Sequence, residues 1–423
     1  MSDYTDITAQ INQKILKNKN VIEQWFQETF KNTPPFFYTS IDIRNAGYKL
    51  SPVDTNIFPA GFNNITEKNK EQAVIYVKEL FAKYYPSVEN IIIIPENHTR
   101  NKFYLENLSV IYEIIEKAGF QVVIGNLDEE AKENVILQSH SGKDLTLEPL
   151  RVNASNYLET HSDFVADLIL ANNDFTDGAP DLIKDIKQTI IPPIGMGWYQ
   201  RRKTAHFSAY NEIAKQLCHL IDLDPWFIST IFNKCGVINF KERTGIECIT
   251  RAVDKVIYKI QQKYDQYNIK HEPYVFIKSN RGTYGMGIMT AKSADDVQVM
   301  SKKIRNKMNK IKGGTLNSEV IIQEGVPTID QVNGHSAENM MYLIGGKPVS
   351  CIYRINTEKD SYGNLNATGM HFLPISSDNP TEEQALCPTL SIISRLASYA
   401  AAWECPPRTH GPQRSLRPTL SPA

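Results

Sequence analysis

The pattern of hydrophobic and polar positions is most regular between residues 89 and 125. Residues 91–94 are a short, fully apolar run of the kind found in strands that are buried on both faces. Apolar residues then recur at helical spacing over residues 104–115, and Gly119 follows as a helix-ending signal. A second apolar run covers residues 120–124. This order predicts a β-α-β crossover with two parallel strands.

Further apolar runs extend the same pattern toward residue 194. Residues 166–170 and 189–191 are predicted to be strands, with a segment of helical spacing around residues 182–186 between them. The prolines at 192 and 193 interrupt regular structure, and a basic, aromatic stretch follows them. We therefore predict an N-terminal open α/β domain over residues 1–194.

The remaining chain is predicted to form a second unit over residues 195–400. Residues 249–264 have the spacing of a long amphipathic helix, and a strand, a glycine loop, a strand, a helix and a strand then run from 274 to 326. The helix between these strands is predicted to bury a stripe of apolar residues, Val297, Met300, Ile304, Met308 and Ile311. Residues 401–423 are predicted to form a disordered or aberrant tail, because periodicity is lost there.

Composition removes several functional classes. Lys plus Arg number 46 and Asp plus Glu 47, for a net charge of -1, so the chain has no overall attraction to nucleic acid or to an anionic membrane. The acidic N-terminus has no apolar segment behind it, and no run is long enough to span a bilayer, which predicts a cytoplasmic protein. The six cysteines lack C-x-x-C spacing, so we expect reduced, partly buried thiols and no zinc cage or disulfide framework.

The segment 275–289 carries the clearest chemical signal. Its glycines, Gly282, Gly285 and Gly287, lie between two apolar β-type runs, so the loop is predicted to join two antiparallel strands. The spacing matches neither a dinucleotide-binding fingerprint nor a Walker A loop. A glycine hairpin can lay backbone N–H groups over a triphosphate, with Lys278 as a fixed positive charge. The alternative is a flexible hairpin tip with no ligand.

Two later segments add candidate ligands. The strand 319–326 ends in Gln323 and Glu324, which can present donors and acceptors to an adenine edge. Asn364 and Asn366 would face one site together if they lie on a strand, and they would then offer oxygen ligands to Mg²⁺. Asparagines beside a glycine are also ordinary turn formers, so that alternative stays open.

Taken in order, these pieces resemble the ATP-grasp superfamily. Residues 37–64, FYTSIDIRNAGYKLSPVDTNIFPAGFNN, are similar to the signature of the proteobacterial, ATP-grasp-like type of glutamate-cysteine ligase. Residues 201–207, 282–289, 323–326 and 364–367 also agree with that family, and the resemblance covers about residues 5–400. It implies an α/β fold in which the N-terminal domain is followed by an ATP-grasp-like α+β domain pair.

The resemblance implies the first step of glutathione biosynthesis. ATP would phosphorylate the γ-carboxylate of L-glutamate, and the amine of L-cysteine would displace phosphate from the acyl phosphate to give γ-glutamylcysteine, with ADP as the other product. Lys278 and Arg354 would be catalytic through fixed charge. The implied cofactors are ATP and Mg²⁺, with Mn²⁺ as an alternative ion. Two other functions stay open: another ATP-grasp carboxylate-amine ligase, or an inactive ATP-binding relative.

The candidate site residues fall into three groups. Those assigned to ATP are Lys278, Gly282, Thr283, Tyr284, Gly285, Gly287, Gln323, Glu324 and Val326. The metal ligands would be Glu338, Asn364 and Asn366, with Glu338 replacing the carboxylate that this type of enzyme usually has where Asn364 stands. The substrate residues, chosen because an amino acid needs an arginine and an acid and because polar groups follow the strands, are Arg44, Asn45, Asp54, Arg100 and Asn173, with Asp42 as a rival to Asp54. Oligomeric state stays open.

Overall fold

A computed structural model describes residues 5–96, 100–176, 178–197, 199–281, 287–309, 316–375 and 380–405. Its helices are α1 Thr5–Lys17, α2 Lys19–Thr29, α3 Glu67–Tyr84, α4 Lys102–Lys117, α5 Lys203–Leu220, α6 Ile246–Gln266, α7 Ala294–Gln298, α8 Lys302–Asn309 and α9 Pro380–Glu404. Its strands are β1 Tyr38–Asn45, β2 Leu50–Asn56, β3 Asn90–Pro95, β4 Gln121–Asn126, β5 Val135–Gln138, β6 Asp144–Val152, β7 Leu158–Thr160, β8 Leu168–Asn172, β9 Thr189–Ile191, β10 Phe232–Gly236, β11 Val275–Ser279, β12 Ile288–Ala291, β13 Glu319–Glu324, β14 Gln331–Val332, β15 His335–Ile344, β16 Lys347–Asn356 and β17 Met370–Pro374. None of the helices in these ranges is long and apolar enough to cross a membrane.

The parallel sheet confirms the predicted crossover. Its strand order is β5-β6-β4-β3-β8-β9, and β3 pairs in parallel with both β4 and β8. Helix α4 buries its apolar stripe against this sheet. The segment of helical spacing around residues 182–186 forms only a single 3-10 turn, Asp181–Ile183, and the next strand, β9, begins at Thr189.

The central sheet joins distant parts of the chain. Its order is β17-β16-β15-β1-β2, so the hairpin formed by residues 38–56 pairs with strands from residues 335–374. The two predicted domains therefore share a sheet, and the boundary at residue 194 stays a prediction. Helix α9 packs on one face of this sheet and runs to Glu404, into the segment predicted to be a tail, whereas residues 406–423 lie outside the described chain.

Alternation along these strands separates a hydrophobic face from a second face. Ile41 and Ile43 on β1 point into the core beneath α5 and α9. On β15, the opposite face is apolar at Tyr342 and Ile344, which pack against α3. Farther along β15 the same face carries the charged residue Glu338. The charged half of this face is where a site can form.

The hairpin sheet has the order β10-β13-β11-β12. Strands β11 and β12 pair antiparallel, which confirms the predicted hairpin, and the long helix α6 covers one face of the sheet as its spacing predicted. The side chains of Phe276, Lys278 and Gln323 lie on the other face, because successive residues of a strand point to opposite faces. That face lies opposite the charged half of the central sheet.

The predicted helix after β12 is divided into α7 and α8. Val297, Met300 and Met308 are buried as predicted, but Ile304 is 37% exposed, and Ile311 lies outside the described residues. Each half has its own N-terminal signal, because Ser293 forms a capping box at α7 and the Ser301 hydroxyl accepts a hydrogen bond from the Ile304 N–H at α8.

The prediction that the cysteines are reduced is wrong for one pair. Cys235 on β10 and Cys248 in the first turn of α6 form a disulfide, with Cα atoms 6.1 Å apart. Cys218, Cys351 and Cys405 are free thiols, of which Cys351 is only partly buried. The pair is brought together by packing of α6 on the hairpin sheet, which spacing of cysteines along the chain does not reveal.

A buried ion pair fastens the central sheet to the hairpin sheet. Lys49, in the turn between β1 and β2, places its Nζ 2.9 Å from Glu324 Oε2 at the end of β13. Both side chains are 1% exposed, and Lys49 Nζ also lies 4.4 Å from the centre of the Trp226 ring. Burial lowers the pKa of Lys49, and the attraction of Glu324 opposes that effect.

Lys49→Met is expected to destabilise the protein strongly. It leaves the Glu324 carboxylate buried without its cation, which costs about 3–5 kcal/mol of the free energy of unfolding. The measurement is urea unfolding followed by circular dichroism. Lys347→Met is the matched control, since Lys347 pairs with Glu79 at the surface, where both side chains are about half exposed, and its loss costs less than about 1 kcal/mol. Equal effects of the two substitutions would contradict the assigned role of Lys49.

Candidate functional site

A cavity that is partly open to solvent lies between the central sheet and the hairpin sheet. Strands from both sheets and the start of α5 supply its walls. The lining residues are Asp42, Arg44, Val53, Asp54, Lys203, Phe276, Lys278, Ser279, Ile288, Glu338, Arg354, Asn364 and Asn366. Most of these side chains are charged or polar, so the cavity suits a charged ligand.

Four side chains of the central sheet form one buried network. Arg354 lies 2.6 Å from Asp42 and 2.7 Å from Glu338, and Arg44 lies 2.8 Å from the other oxygen of Glu338. Burial alone would raise the pKa of Glu338, but Arg44 and Arg354 bring it below its ordinary value. Burial raises the pKa of Asp42, and Arg354 only partly opposes this. Glu338 is therefore an anion held between two cations.

Two lysines lie near the Asp54 carboxylate at the cavity wall, and one of them pairs with it. Lys203, the first residue of α5, places Nζ 2.5 Å from Asp54 Oδ1 on β2. Lys278 on β11 donates a hydrogen bond to the Val53 carbonyl, 3.1 Å away. Burial lowers the pKa of Lys278 to about 8, with Asp54 acting against the shift. Burial alone would raise the pKa of Asp54, but Lys203 and Lys278 hold it at about 2.

The stem of the glycine hairpin adjoins these lysines. Lys278 pairs with Ile288 across the hairpin, and Gly287 has a positive φ of 61°. The Asn280 carbonyl accepts the Lys203 N–H at 2.9 Å, and the Asn280 side chain accepts the Thr204 N–H at 3.0 Å. The other predicted loop residues, Gly282, Thr283, Tyr284 and Gly285, lie outside the described chain.

Of the ATP-binding residues predicted at the end of β13, some are already bound to other groups of the protein. The Gln323 side chain is fully buried, and neither of its amide atoms has a hydrogen-bond partner among the described residues. The Glu324 carboxylate is already engaged, because it binds Lys49 and accepts hydrogen bonds from the Trp226 indole at 3.0 Å and the Ile231 N–H at 2.9 Å. The Val326 carbonyl accepts from Arg44 at 3.1 Å. Gln323 is the residue here with free capacity for a ligand.

The two asparagines proposed for the metal lie in a turn. Of the two alternatives, a strand or a turn, the structure has the turn, because Asn364 Oδ1 accepts the Asn366 N–H at 3.2 Å and its Nδ2 donates to the Asn366 carbonyl at 3.1 Å. Both nevertheless line the same cavity as Glu338. Across the described ranges, no group of three or more His, Cys, Asp or Glu side chains is arranged to hold a metal ion.

The predicted substrate residues are only partly brought together. Arg44 and Asp54 line the cavity, but the Arg44 guanidinium is committed to Glu338 and to the carbonyls of Val326 and Gly363. The other three predicted substrate residues, Asn45, Asn173 and Arg100, do not line the cavity. Asn45 binds Asp330, Asn173 donates to the Pro95 carbonyl, and Arg100 is exposed.

Lys203 is a cavity residue to which sequence reasoning assigned no role. It follows Arg201 and Arg202 in one basic stretch, so the sequence shows three neighbouring cations without showing which one faces the cavity. Packing decides this, because Arg201 turns toward Glu404 and Arg202 toward Glu319, while Lys203 reaches Asp54.

Comparison with known proteins places the chain in a family. The family model described as glutamate-cysteine ligase matches residues 12–405. A candidate gamma-glutamylcysteine synthetase from Methylobacillus flagellatus KT, known from its crystal structure, is 37% identical with a TM-score of 0.88, over 96% of this chain and 97% of that one. The D-alanyl-alanine synthetase A of Vibrio cholerae O1 biovar eltor is 11% identical with a TM-score of 0.33, over 73% of this chain and 80% of that one.

No curated protein matches the chain. The predicted α/β fold class is confirmed by the mixed sheets and helices and by the 0.88 superposition. The predicted activity is confirmed at the level of the family and its reaction. The chain therefore belongs to the glutamate-cysteine ligase family, and it is an enzyme that ligates glutamate to cysteine.

Proposed function

We propose that the cavity between the two sheets binds ATP with a divalent cation, Mg²⁺ or alternatively Mn²⁺, and that ligation proceeds through γ-glutamyl phosphate. The observation that carries this proposal is that Lys203, Lys278 and Arg354 line one cavity, in which Lys203 pairs with Asp54 and Arg354 pairs with Glu338. Buried cations are costly unless an anion meets them. A polyphosphate would supply that anion beside the glycine hairpin.

The phosphate end of the nucleotide is assigned to the two lysines. The side chains that line the cavity include four cations and three carboxylates, so the lining has one positive charge in excess: the cations are Arg44, Lys203, Lys278 and Arg354, and the carboxylates are Asp42, Asp54 and Glu338. Lys278 also lies at the stem of the glycine hairpin, whose backbone N–H groups would complete the phosphate contacts. Point charges of this kind are the usual phosphate partners in phosphoryl transfer.

The adenine end is assigned to Gln323. Gln323 is fully buried and lies directly opposite Phe276 in the sheet, and Phe276 lines the cavity. A buried amide without partners is unfavourable, and an adenine edge offers both a donor and an acceptor to satisfy it. An aromatic ring beside that amide supplies an apolar contact for the base.

The oxygen donors present fit a metal that is held mainly by phosphates. Mg²⁺ bound to a nucleotide takes one or two protein oxygens and completes its shell with phosphates and water. Glu338 is an anion on the cavity wall, and Asn364 and Asn366 add amide oxygens beside it. When bound, the ion would neutralise charge on the transferring phosphoryl group.

The reaction needs no nucleophilic side chain. The γ-carboxylate of L-glutamate attacks the γ-phosphorus of ATP and releases ADP, and the amine of L-cysteine then attacks the acyl carbon and expels phosphate. Negative charge develops on the phosphoryl oxygens and then on the acyl oxygen. Lys278 and Arg354 are placed to stabilise those charges from fixed positions.

The direct test is ADP release with MgATP, L-glutamate and L-cysteine, each omitted in turn, with mass spectrometry of the product. We expect full turnover and the mass of γ-glutamylcysteine only when all components are present, and limited ADP release with glutamate alone. Turnover with a different amino acid in place of cysteine, and none with cysteine, would contradict the substrate assignment.

Lys278→Met is expected to lower kcat by a factor of about 10²–10³, because it removes the fixed positive charge that stabilises the phosphoryl group during its transfer. The same ADP assay measures it. Lys234→Met is the control, since Lys234 is an exposed lysine on β10 of the same sheet. A normal kcat in Lys278→Met would remove this lysine from catalysis.

The affinity of the free enzyme for ATP is expected to fall as pH rises through about 8. Burial lowers the pKa of Lys278 to about 8, so its ammonium is charged below that pH and neutral above it. Calorimetric titration with MgATP across pH 6.5–9.5 would measure the dissociation constant. Asp54→Asn removes an attraction that supports the charged form, so the loss of affinity should begin at lower pH in that variant. A pH profile that is flat to pH 9.5 in both proteins would argue against Lys278 as the phosphate ligand.

A further inference from the structure

The last residue of α9 carries a buried carboxylate that the reaction does not use. Glu404 binds Arg201 through both of its oxygens, at 3.1 and 3.2 Å, and lies 2.5 Å from His206 Nδ1. The side chains of Glu404, Arg201 and His206 are 6% or less exposed. Burial lowers the pKa of His206, so the neutral ring donates to Glu404 and the pair of full charges is Glu404 with Arg201.

Arg201 transmits this contact to the cavity wall. Its other terminal nitrogen, Nη1, donates a hydrogen bond to the Thr55 carbonyl on β2, 2.8 Å away. Thr55 follows Asp54, and Lys203 stands two residues after Arg201 and pairs with that same Asp54. The Arg201 guanidinium therefore holds in place both the strand that carries Asp54 and the segment that carries Lys203.

The same short segment also holds the stem of the glycine hairpin. Lys203 and Thr204 donate their N–H groups to Asn280, which stands directly after β11. Arg202 lies 3.0 Å from Glu319 at the start of β13, and Asn280 donates to that carboxylate at 3.1 Å. Residues 201–204 are thus the junction of β2, the glycine hairpin and β13.

We propose that Glu404 is a positioning residue for ATP: through Arg201 it holds the junction so that Lys203 and the hairpin stem face the phosphates together. This inference rests on the ATP site proposed above. Without the Glu404 carboxylate, the buried Arg201 guanidinium would lose the anion that binds it through two hydrogen bonds, and it would turn or the segment would shift. Either change would move Lys203 and Asn280, which lie beyond the ion pair.

Two variants test the link. Glu404→Gln removes the anion and keeps the shape. Arg201→Lys keeps the positive charge, but a single ammonium cannot span both oxygens of Glu404 and the Thr55 carbonyl. In each variant we expect the dissociation constant for MgATP, measured by calorimetry well below the melting temperature, to rise by about tenfold or more. KM for ATP should rise in parallel, with a smaller change in kcat.

Glu23→Gln is the control, because it removes another ion pair made by α9. Glu23 on α2 pairs with Arg395 of α9, away from the cavity, so this variant is expected to melt at a lower temperature while binding MgATP like the unmodified protein. The inference would be overturned if Glu404→Gln and Arg201→Lys also melt earlier but bind MgATP with unchanged affinity, since that pattern describes stability alone. Failure of the unmodified protein to bind MgATP would instead overturn the ATP site, and the inference with it. If Glu404→Gln does not fold, Arg201→Lys decides the matter.

Discussion

The architecture depends on keeping charges paired at the place where the central sheet and the hairpin sheet meet. Moving an ion out of water costs several kcal/mol, so a buried carboxylate is tolerated only while its cation stays in place. Glu338 links Arg44 on β1 to Arg354 on β16, and Glu324 at the end of β13 holds Lys49 from the β1–β2 turn. The strands that form the cavity walls are thereby fixed relative to one another.

This pairing also limits which side chains are left for chemistry. Arg44 and the Glu324 carboxylate are as polar as any residue in the site, yet both are committed to the framework. Lys203 and Lys278, which both line the cavity, differ from these two: Lys203 pairs with Asp54, whose side chain is 38% exposed, and Lys278 is attracted by the same carboxylate while it binds the Val53 carbonyl. The framework is nearly neutral, whereas the cavity wall keeps an excess of positive charge, and such an excess attracts a polyanion.

The cavity is assembled from segments that are far apart along the chain. Its walls come from residues 42–54, 203, 276–279, 288 and 338–366, and helix α9 closes the far side of the central sheet. Glu404 at the end of that helix reaches the junction before α5, so the last described turn of the chain is connected to the first strands by a buried ion pair. The site thus depends on long-range packing as much as on its own residues.

The local elements and the type of chemistry could be predicted from the sequence. The apolar run at 91–94, the helical spacing at 249–264 and the glycine hairpin with Lys278 depend on neighbouring residues, so they were predictable, as was the family from its motifs. Which polar residues face the cavity depends on the packing of distant segments. Spacing cannot show that Arg44 is bound by Glu338, that Cys235 meets Cys248, or that Lys203 and not Arg201 reaches Asp54. Those outcomes depend on contacts between distant segments, where the cost of burying a charge selects its partner.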